Sequence, residues 1–298
     1  MELKQFHGGW PALVTPATDD GGVNVSMLAQ LTEYLIGKGV DGLYLCGSTG
    51  EGVFLSVPER CQVAETVVEQ VAGRIPVIVH VGAVATRHAV MLAQHAQEVG
   101  ADGVASILPP FRRSPEETLT HYQAIADSVP DLPFYPYLFG GETDAVSLMQ
   151  ELLLRIPNVA GAKYTGSNLY ELRAIVELRD KGWTIFSGMD QQCAFAGMVG
   201  SPANIGTTLN LMPGVYREIR ASLDAGDFGR ARDLQLQVNR VTRVLHHYGV
   251  FGALFEALRV LGMDCGEPRL PRAPLSAEQR AQFHAALTAA GFSSLASM

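Results

Sequence analysis

Lysine is scarce in this chain, four residues in 298, and cysteine is no commoner. Cys46, Cys61, Cys193 and Cys265 show no CxxC spacing and are too few for a disulfide framework, so a small disulfide-stapled fold is excluded and reduced thiols are expected. The same spacing offers no zinc site. No apolar run approaches the roughly 20 residues of a membrane span, and the N-terminus, with Glu2, Lys4 and His7, lacks the apolar core of a signal peptide. The expected compartment is therefore the cytoplasm. Positive charge is also short. A net charge of −8, with Arg112-Arg113 the only paired basic cluster, argues against a broad nucleic-acid-binding surface and leaves that pair as a solvated loop.

What is present is a large apolar fraction, 47%, enough for a sizeable core, distributed with a repeating rhythm. Short apolar runs alternate with longer amphipathic ones. The strand candidates are 12–15, 42–46, 77–81, 103–108, 134–137, 159–163, 184–187 and 204–206. Between them Ser56 with Glu59 and Ser114 with Glu117 fit capping boxes, and Gly100 and Gly226 fit helix C-termini. Eight strand–helix repeats in about 225 residues, with no Pro-, Gly- or Ser-rich linker, predict a closed (β/α)8 TIM barrel over residues 1–225. A doubly wound sheet is the alternative. Helical stretches at 230–248, 251–261 and 276–290, the last opened by a Ser276/Gln279 capping box, predict a C-terminal helical extension over 226–298 packed on the barrel or a neighbouring subunit.

In such a barrel the chemistry gathers at the C-terminal ends of the strands. There Lys163 stands apart from Lys4, Lys38 and Lys181, which lie at a tail or beside helix-ending glycines: it closes the small apolar run from Asn158 and precedes a Tyr-Thr-Gly turn. Burial disfavours an ammonium ion. A fall in pKa from about 10.4 to roughly 7.4 would raise the neutral fraction at pH 7 from about 0.04% to roughly 30%, enough to form a Schiff base with a carbonyl substrate. Position alone leaves open a lysine that snorkels to water or pairs with a carboxylate. The turn Gly47-Ser48-Thr49-Gly50-Glu51 after strand two lacks the ending of a nucleotide-binding loop. Its hydroxyls and free amides suit a small carboxylate, so an α-keto acid would fit, held by Ser48 and Thr49 while Lys163 attacks its ketone. Tyr137 is placed to carry a proton, but Tyr135 shares its strand face and the alternation does not choose between them. Thr165, Gly188, Asp190, Gln191 and Thr207 complete the polar strand ends.

These motifs resemble those of the class I aldolases of the N-acetylneuraminate lyase and dihydrodipicolinate synthase family, from about Gly9 to Leu275. The likeness is carried by GWPALVTP at 9–16, DGLYLCGSTGE at 41–51, His80-Val81-Gly82, Gly100 to Gly103, Gly161 to Gly166 around Lys163, and Arg269-Leu270-Pro271. The resemblance implies a barrel with a helical extension, commonly a homotetramer, that joins a lysine to pyruvate without a cofactor. It makes Lys163 the Schiff-base lysine, Tyr137 the proton-transfer residue and Ser48 with Thr49 the carboxylate site. Asp190, Gln191 and Thr207 then match the residues that hold a sugar tail, with Thr165 orienting its hydroxyl. The lyase branch is the nearer, because Glu142 stands where synthases carry an arginine for the second substrate. Three features depart from the pattern: the loop from Tyr137 to Gly140, Gln191 in place of a glutamate, and Phe111 in place of a tyrosine that reaches a neighbouring site. The expected activity is cleavage of N-acetylneuraminate to N-acetylmannosamine and pyruvate. The alternatives are an aldolase or dehydratase for another 2-keto-3-deoxy sugar acid, or a synthase-like condensing enzyme. Outside the family stand a pyridoxal phosphate enzyme, with Gly206-Thr207-Thr208 at its phosphate, and a barrel that binds sugar acids without turnover.

Overall fold

The computed structural model describes residues 5–111, 114–139 and 144–298. Lys4, the Arg112-Arg113 pair, Gly140 and Glu142, all invoked above, lie outside them. Eight parallel strands form the barrel: β1 (Gly8–Pro11), β2 (Leu43–Leu45), β3 (Val77–His80), β4 (Gly103–Ile107), β5 (Phe134–Phe139), β6 (Gly161–Thr165), β7 (Thr184–Ser187) and β8 (Ala203–Gly206). The ladder runs from β2 through β3 to β8 and on to β1. A bridge between Ala12 and Tyr44, beside the bond from Leu13 N to Tyr44 O at 2.9 Å, brings β1 back to β2 and nearly closes the circle. This is the expected (β/α)8 TIM barrel.

The helices α1 (Val25–Gly37), α2 (Val57–Val71), α3 (Thr86–Glu98), α4 (Pro115–Asp127), α5 (Ala145–Arg155), α6 (Leu169–Val176), α7 (Cys193–Met198) and α8 (Pro213–Asp224) follow the strands in turn. All three capping boxes read from sequence are formed. Each serine hydroxyl accepts the N3 amide while the N3 side chain accepts the serine's own N–H, so two orphan donors at each helix start are satisfied. Gly100 and Gly226, at φ 86° and 74°, take the left-handed turns that follow α3 and α8. The extension comprises α9 (Phe228–Tyr248), α10 (Val250–Val260), α11 (Ala277–Ala289) and a short α12 (Phe292–Ser297) absent from the sequence reading. Phe292 and Leu295 of α12 are buried, and Ala296 O accepts the Lys38 ammonium at 2.9 Å. That contact occupies one of the lysines set aside above.

Two strand expectations are corrected. The first strand is Gly8–Pro11 rather than 12–15: Gly-Gly-Trp-Pro is poor strand sequence, yet its pairing with β8 is enforced by the barrel. The sixth is Gly161–Thr165 rather than 159–163, because Tyr164 and Thr165 continue the ladder against Leu138 and Phe139 of an equally extended β5. Lys163 is thus the third of five strand residues, not the last.

Alternation along the strands sorts side chains into two cores. Outward residues such as Leu43, Val104, Phe134, Ala162 and Tyr164 pack under the helices. Inward ones, including Phe6, Trp10, Tyr44, Ile78, Tyr135, Phe186 and Ile205, fill the barrel itself. Edge-to-face contacts join this filling, Phe6 to Trp10 at 4.9 Å and Tyr135 to Phe186 at 5.6 Å between ring centroids, and seal the barrel below the level of Lys163. The entry to β6 is fixed from outside. Buried Asn158 directs its amide nitrogen to the carbonyls of Ala126, Val129 and Leu132 at 3.2, 3.0 and 2.9 Å, while its own carbonyl accepts from Phe134 N. Replacing Asn158 by Ala strands those carbonyls in the interior, and denaturant unfolding should show a loss of about 2 kcal/mol.

Candidate active site

The register that pairs Tyr137 directly with Lys163 puts both on the inner face of adjacent strands. Lys163 is 5% exposed. Its Nζ lies 4.3 Å from the centroid of the Tyr137 ring and 4.6 Å from that of Tyr44. Burial among these rings lowers its pKa from the usual 10.5 to about 7, and the carboxylate of Asp190 works in the opposite direction. A large share of the amine is therefore neutral and nucleophilic at neutral pH, while a cation formed there still faces two π-systems and one carboxylate.

The structure separates the two tyrosines that alternation left equivalent. Tyr135 belongs to the aromatic filling, packed against Phe186 and Phe6, where burial drives its hydroxyl pKa upward. Tyr137 sits one layer higher, beside Lys163, His80 and Phe139.

Space at this level depends on two glycines. A Cβ at Gly188, past the end of β7, would stand 1.9 Å from Thr165 Oγ1 and 3.2 Å from Lys163 Cε; one at Gly206, ending β8, would stand 1.7 Å from Asp190 Oδ1. Both positions must lack a side chain for lysine, threonine and aspartate to converge. Asp190 is buried, which raises its pKa, and Oδ2 accepts the Thr208 amide at 2.8 Å. Its Oδ1 and the Thr165 hydroxyl are buried without a hydrogen-bond partner among the described residues. A ligand carrying hydroxyls would satisfy both.

Thr49 and Thr207 meet across the mouth, hydroxyl to hydroxyl at 2.8 Å, joining the turn after β2 to the end of β8. Ser48 beside Thr49 is exposed. Gln191 is engaged by α9. Its Nε2 approaches His246 Nε2 at 3.3 Å, on α9, and its carbonyl accepts from Asn239. Gln235 of the same helix accepts from Ala194 N and donates to Asp190 O, so the extension holds the 190–194 segment in place.

Several of these residues escaped the sequence reading. Tyr44 lies between two leucines on a strand whose other face is core, and its inward phenol was the available signal. In sequence His80 stands only as part of a motif. Its Nδ1 sits 3.1 Å from Cys46 O and its Nε2 receives the Ile107 amide at 3.0 Å, so the ring is the neutral tautomer with the proton on Nδ1. Burial first, then Arg60 and Lys163, hold its pKa well below the usual imidazole range. Gln235, Asn239 and His246 give no sequence signal, since their meaning comes from the segment after β7 that they hold, about 50 residues away in the chain. Among the described residues no group of His, Cys, Asp and Glu could hold a metal ion, and no helix is long and apolar enough to cross a membrane.

Comparison with known proteins places this geometry in context. The Dihydrodipicolinate synthetase family matches over residues 5–290. An N-acetylneuraminate lyase of Rhizobium meliloti (strain 1021) is 33% identical over 270 residues, covering 90% of this chain and 89% of the relative. A 4-hydroxy-tetrahydrodipicolinate synthase of Acidovorax sp. (strain JS42) is equally similar, 33% over 288 residues, covering 95% and 96%. Among solved structures, Proteus mirabilis N-acetylneuraminate lyase superposes with a TM-score of 0.92 at 31% identity, covering 97% of this chain and all of that one.

The depressed pKa of Lys163 sets a pH profile. The neutral amine accumulates as pH rises, so borohydride trapping of pyruvate on Lys163 should climb through a midpoint near 7 and then level off. In Asp190→Asn, which removes the charge favouring the ammonium form, the midpoint should move to lower pH. A midpoint near 10 in the unaltered protein would contradict the buried geometry.

Proposed function

From the premise that the chain belongs to the dihydrodipicolinate synthetase family and is a class I aldolase, we propose that it cleaves a 2-keto-3-deoxy sugar acid, N-acetylneuraminate foremost, to pyruvate and N-acetylmannosamine. The observation that carries this reading is the buried amine of Lys163, with a pKa of about 7, against the Tyr137 ring in the barrel mouth.

In the proposed sequence the neutral amine attacks the C2 ketone, and loss of water from the carbinolamine leaves an iminium linked to Lys163. The new cation occupies the place of the ammonium, between the rings of Tyr44 and Tyr137, an arrangement worth roughly 0.5–2 kcal/mol. Ser48 and Thr49 hold the carboxylate. Tyr137, a phenolate after giving its proton to the departing carbinolamine hydroxyl, takes the C4 hydroxyl proton as the C3–C4 bond breaks, and the bonding pair flows into the iminium to give an enamine. Tyr137 then returns that proton to C3. Hydrolysis releases pyruvate and restores the amine. Thr165, whose buried hydroxyl lacks a partner among the described residues, orients the C4 hydroxyl. Asp190 Oδ1 is the acceptor for a hydroxyl further along the tail, with Thr207 nearby.

One observation favours a second reading, cleavage or dehydration of a different 2-keto-3-deoxy sugar acid. Gln191 supplies a neutral amide turned toward His246, so this end of the site offers a different grip from a carboxylate. A synthase-like condensation lacks support from the tail: Glu142 occupies the position of the arginine that would hold an anionic second substrate. Self-association, as a homotetramer, belongs to the same proposal. Val53, Val84 and Phe111, in the segments that follow β2, β3 and β4, are 68%, 61% and 54% exposed, a run of apolar side chains on one sector of the rim.

A panel of keto-deoxy acids assayed for released pyruvate tests the substrate. N-acetylneuraminate should be cleaved, and release from shorter or uncharged compounds alone would overturn that assignment. Borohydride with pyruvate should leave an adduct on the Lys163 peptide, and Lys163→Ala should abolish both adduct and turnover. Tyr137→Phe should lower kcat by about 10²–10⁴ with a smaller effect on KM, as expected for loss of a proton carrier.

A further inference from the structure

We propose that Glu51 is a positioning residue through which the C-terminal extension sets the affinity for the keto-acid carboxylate; this rests on the reading that Ser48 and Thr49 receive that carboxylate. The turn containing them is bracketed by two non-glycine residues in the left-handed region, Cys46 at φ 55° and Glu51 at φ 57°. Such conformations persist only where surrounding contacts impose them. Within the turn, Gly52 N donates to Gly47 O at 3.2 Å and Gly50 O accepts from Thr15 Oγ1 at 2.8 Å.

The strongest of these contacts come from a segment more than 200 residues away. Glu51 has no solvent exposure. Its carboxylate accepts the backbone amide of Arg269 at 3.1 and 3.2 Å, the Arg269 guanidinium at 3.0 Å and that of Arg272 at 3.3 Å. Arg269 is itself buried and its remaining donors are all used. Nε reaches Gly21 O, and the terminal nitrogens reach Thr15 O, Pro16 O and Gly22 O, at 2.8 to 3.2 Å. Arg272 lies against the Phe251 ring at 3.2 Å and the Phe54 ring at 5.2 Å. Glu51 therefore binds three pieces of chain into one block: the carboxylate turn, the loop after β1 and the segment between α10 and α11.

One physical consequence separates this from ordinary packing. A buried ion pair adds little net stability over apolar side chains of the same shape, so its worth here lies in the geometry it imposes on a strained turn, where one carboxylate is held by two guanidiniums and a backbone amide.

Borohydride trapping at varied pyruvate concentration separates affinity from chemistry. In Glu51→Gln the half-saturating concentration should rise about tenfold, the equivalent of one charge-assisted hydrogen bond, while the limiting yield on Lys163 stays within about twofold. Arg272→Met, which keeps an apolar stem against Phe251, should give a smaller rise, about threefold, and it decides the matter if Glu51→Gln fails to fold. Unchanged half-saturation in a variant with native circular dichroism overturns the proposal, as does a fall in limiting yield at constant half-saturation. Absence of trapping in the unaltered protein overturns the keto-acid reading itself.

Discussion

The structure turns on one unfavourable placement, an amine held inside a barrel where its charged form is poorly solvated. Lys163 meets two aromatic rings in place of water, and one buried carboxylate falls short of restoring its usual basicity. Removing the carboxylate's influence would push the amine further toward neutrality, and opening the barrel floor would return it to an ordinary lysine. The balance between these sets a pKa near physiological pH, the condition under which one group can serve both as nucleophile and as the seat of a cation.

The barrel produces this placement through simple rules. Period-two alternation on β5 and β6 sends Tyr137 and Lys163 inward at the same height, and parallel register makes them neighbours. Aromatic filling below excludes water from one side. Glycines at the ends of β7 and β8 leave room above, so Thr165 and Asp190 reach the same level. Closure of the sheet then does what no single strand can: Thr49, in the turn after β2, and Thr207, just past β8, more than 150 residues apart, share a hydrogen bond.

Sequence carried the architecture because strand–helix alternation and capping boxes are local signals, and local signals survive into the fold. It carried Lys163 because a scarce residue in an apolar run is conspicuous. The errors have a common cause. β1 was displaced because Gly8–Pro11 has no strand propensity of its own and pairs only through β8; β6 ended too early because Tyr164 and Thr165 are held by a partner strand. The six-residue α12 is too short to announce itself. Tyr44 and His80 appear in sequence only inside motifs, His246 not at all, and Tyr135 and Tyr137 stay equivalent there, because height within a barrel and proximity to another helix are tertiary facts.

The same division explains why chemistry is easier to read here than substrate. Imine formation requires a particular arrangement close to the reacting carbon, and the groups that supply it sit on strands whose positions the fold determines. The residues proposed for the tail lie on segments after the strands, and there α9 intervenes: Gln235, Asn239 and His246 set the backbone of Asp190 and the amide of Gln191. A lyase and a synthase stand at equal identity to this chain, so overall likeness does not choose the substrate. Asp190 Oδ1 and Thr165 Oγ1, buried without a hydrogen-bond partner among the described residues, are what the proposed polyol tail would satisfy, and a short aldehyde would not reach both. In the proposed reading, substrate preference then follows from how many hydroxyls the ligand delivers beyond its keto-acid end.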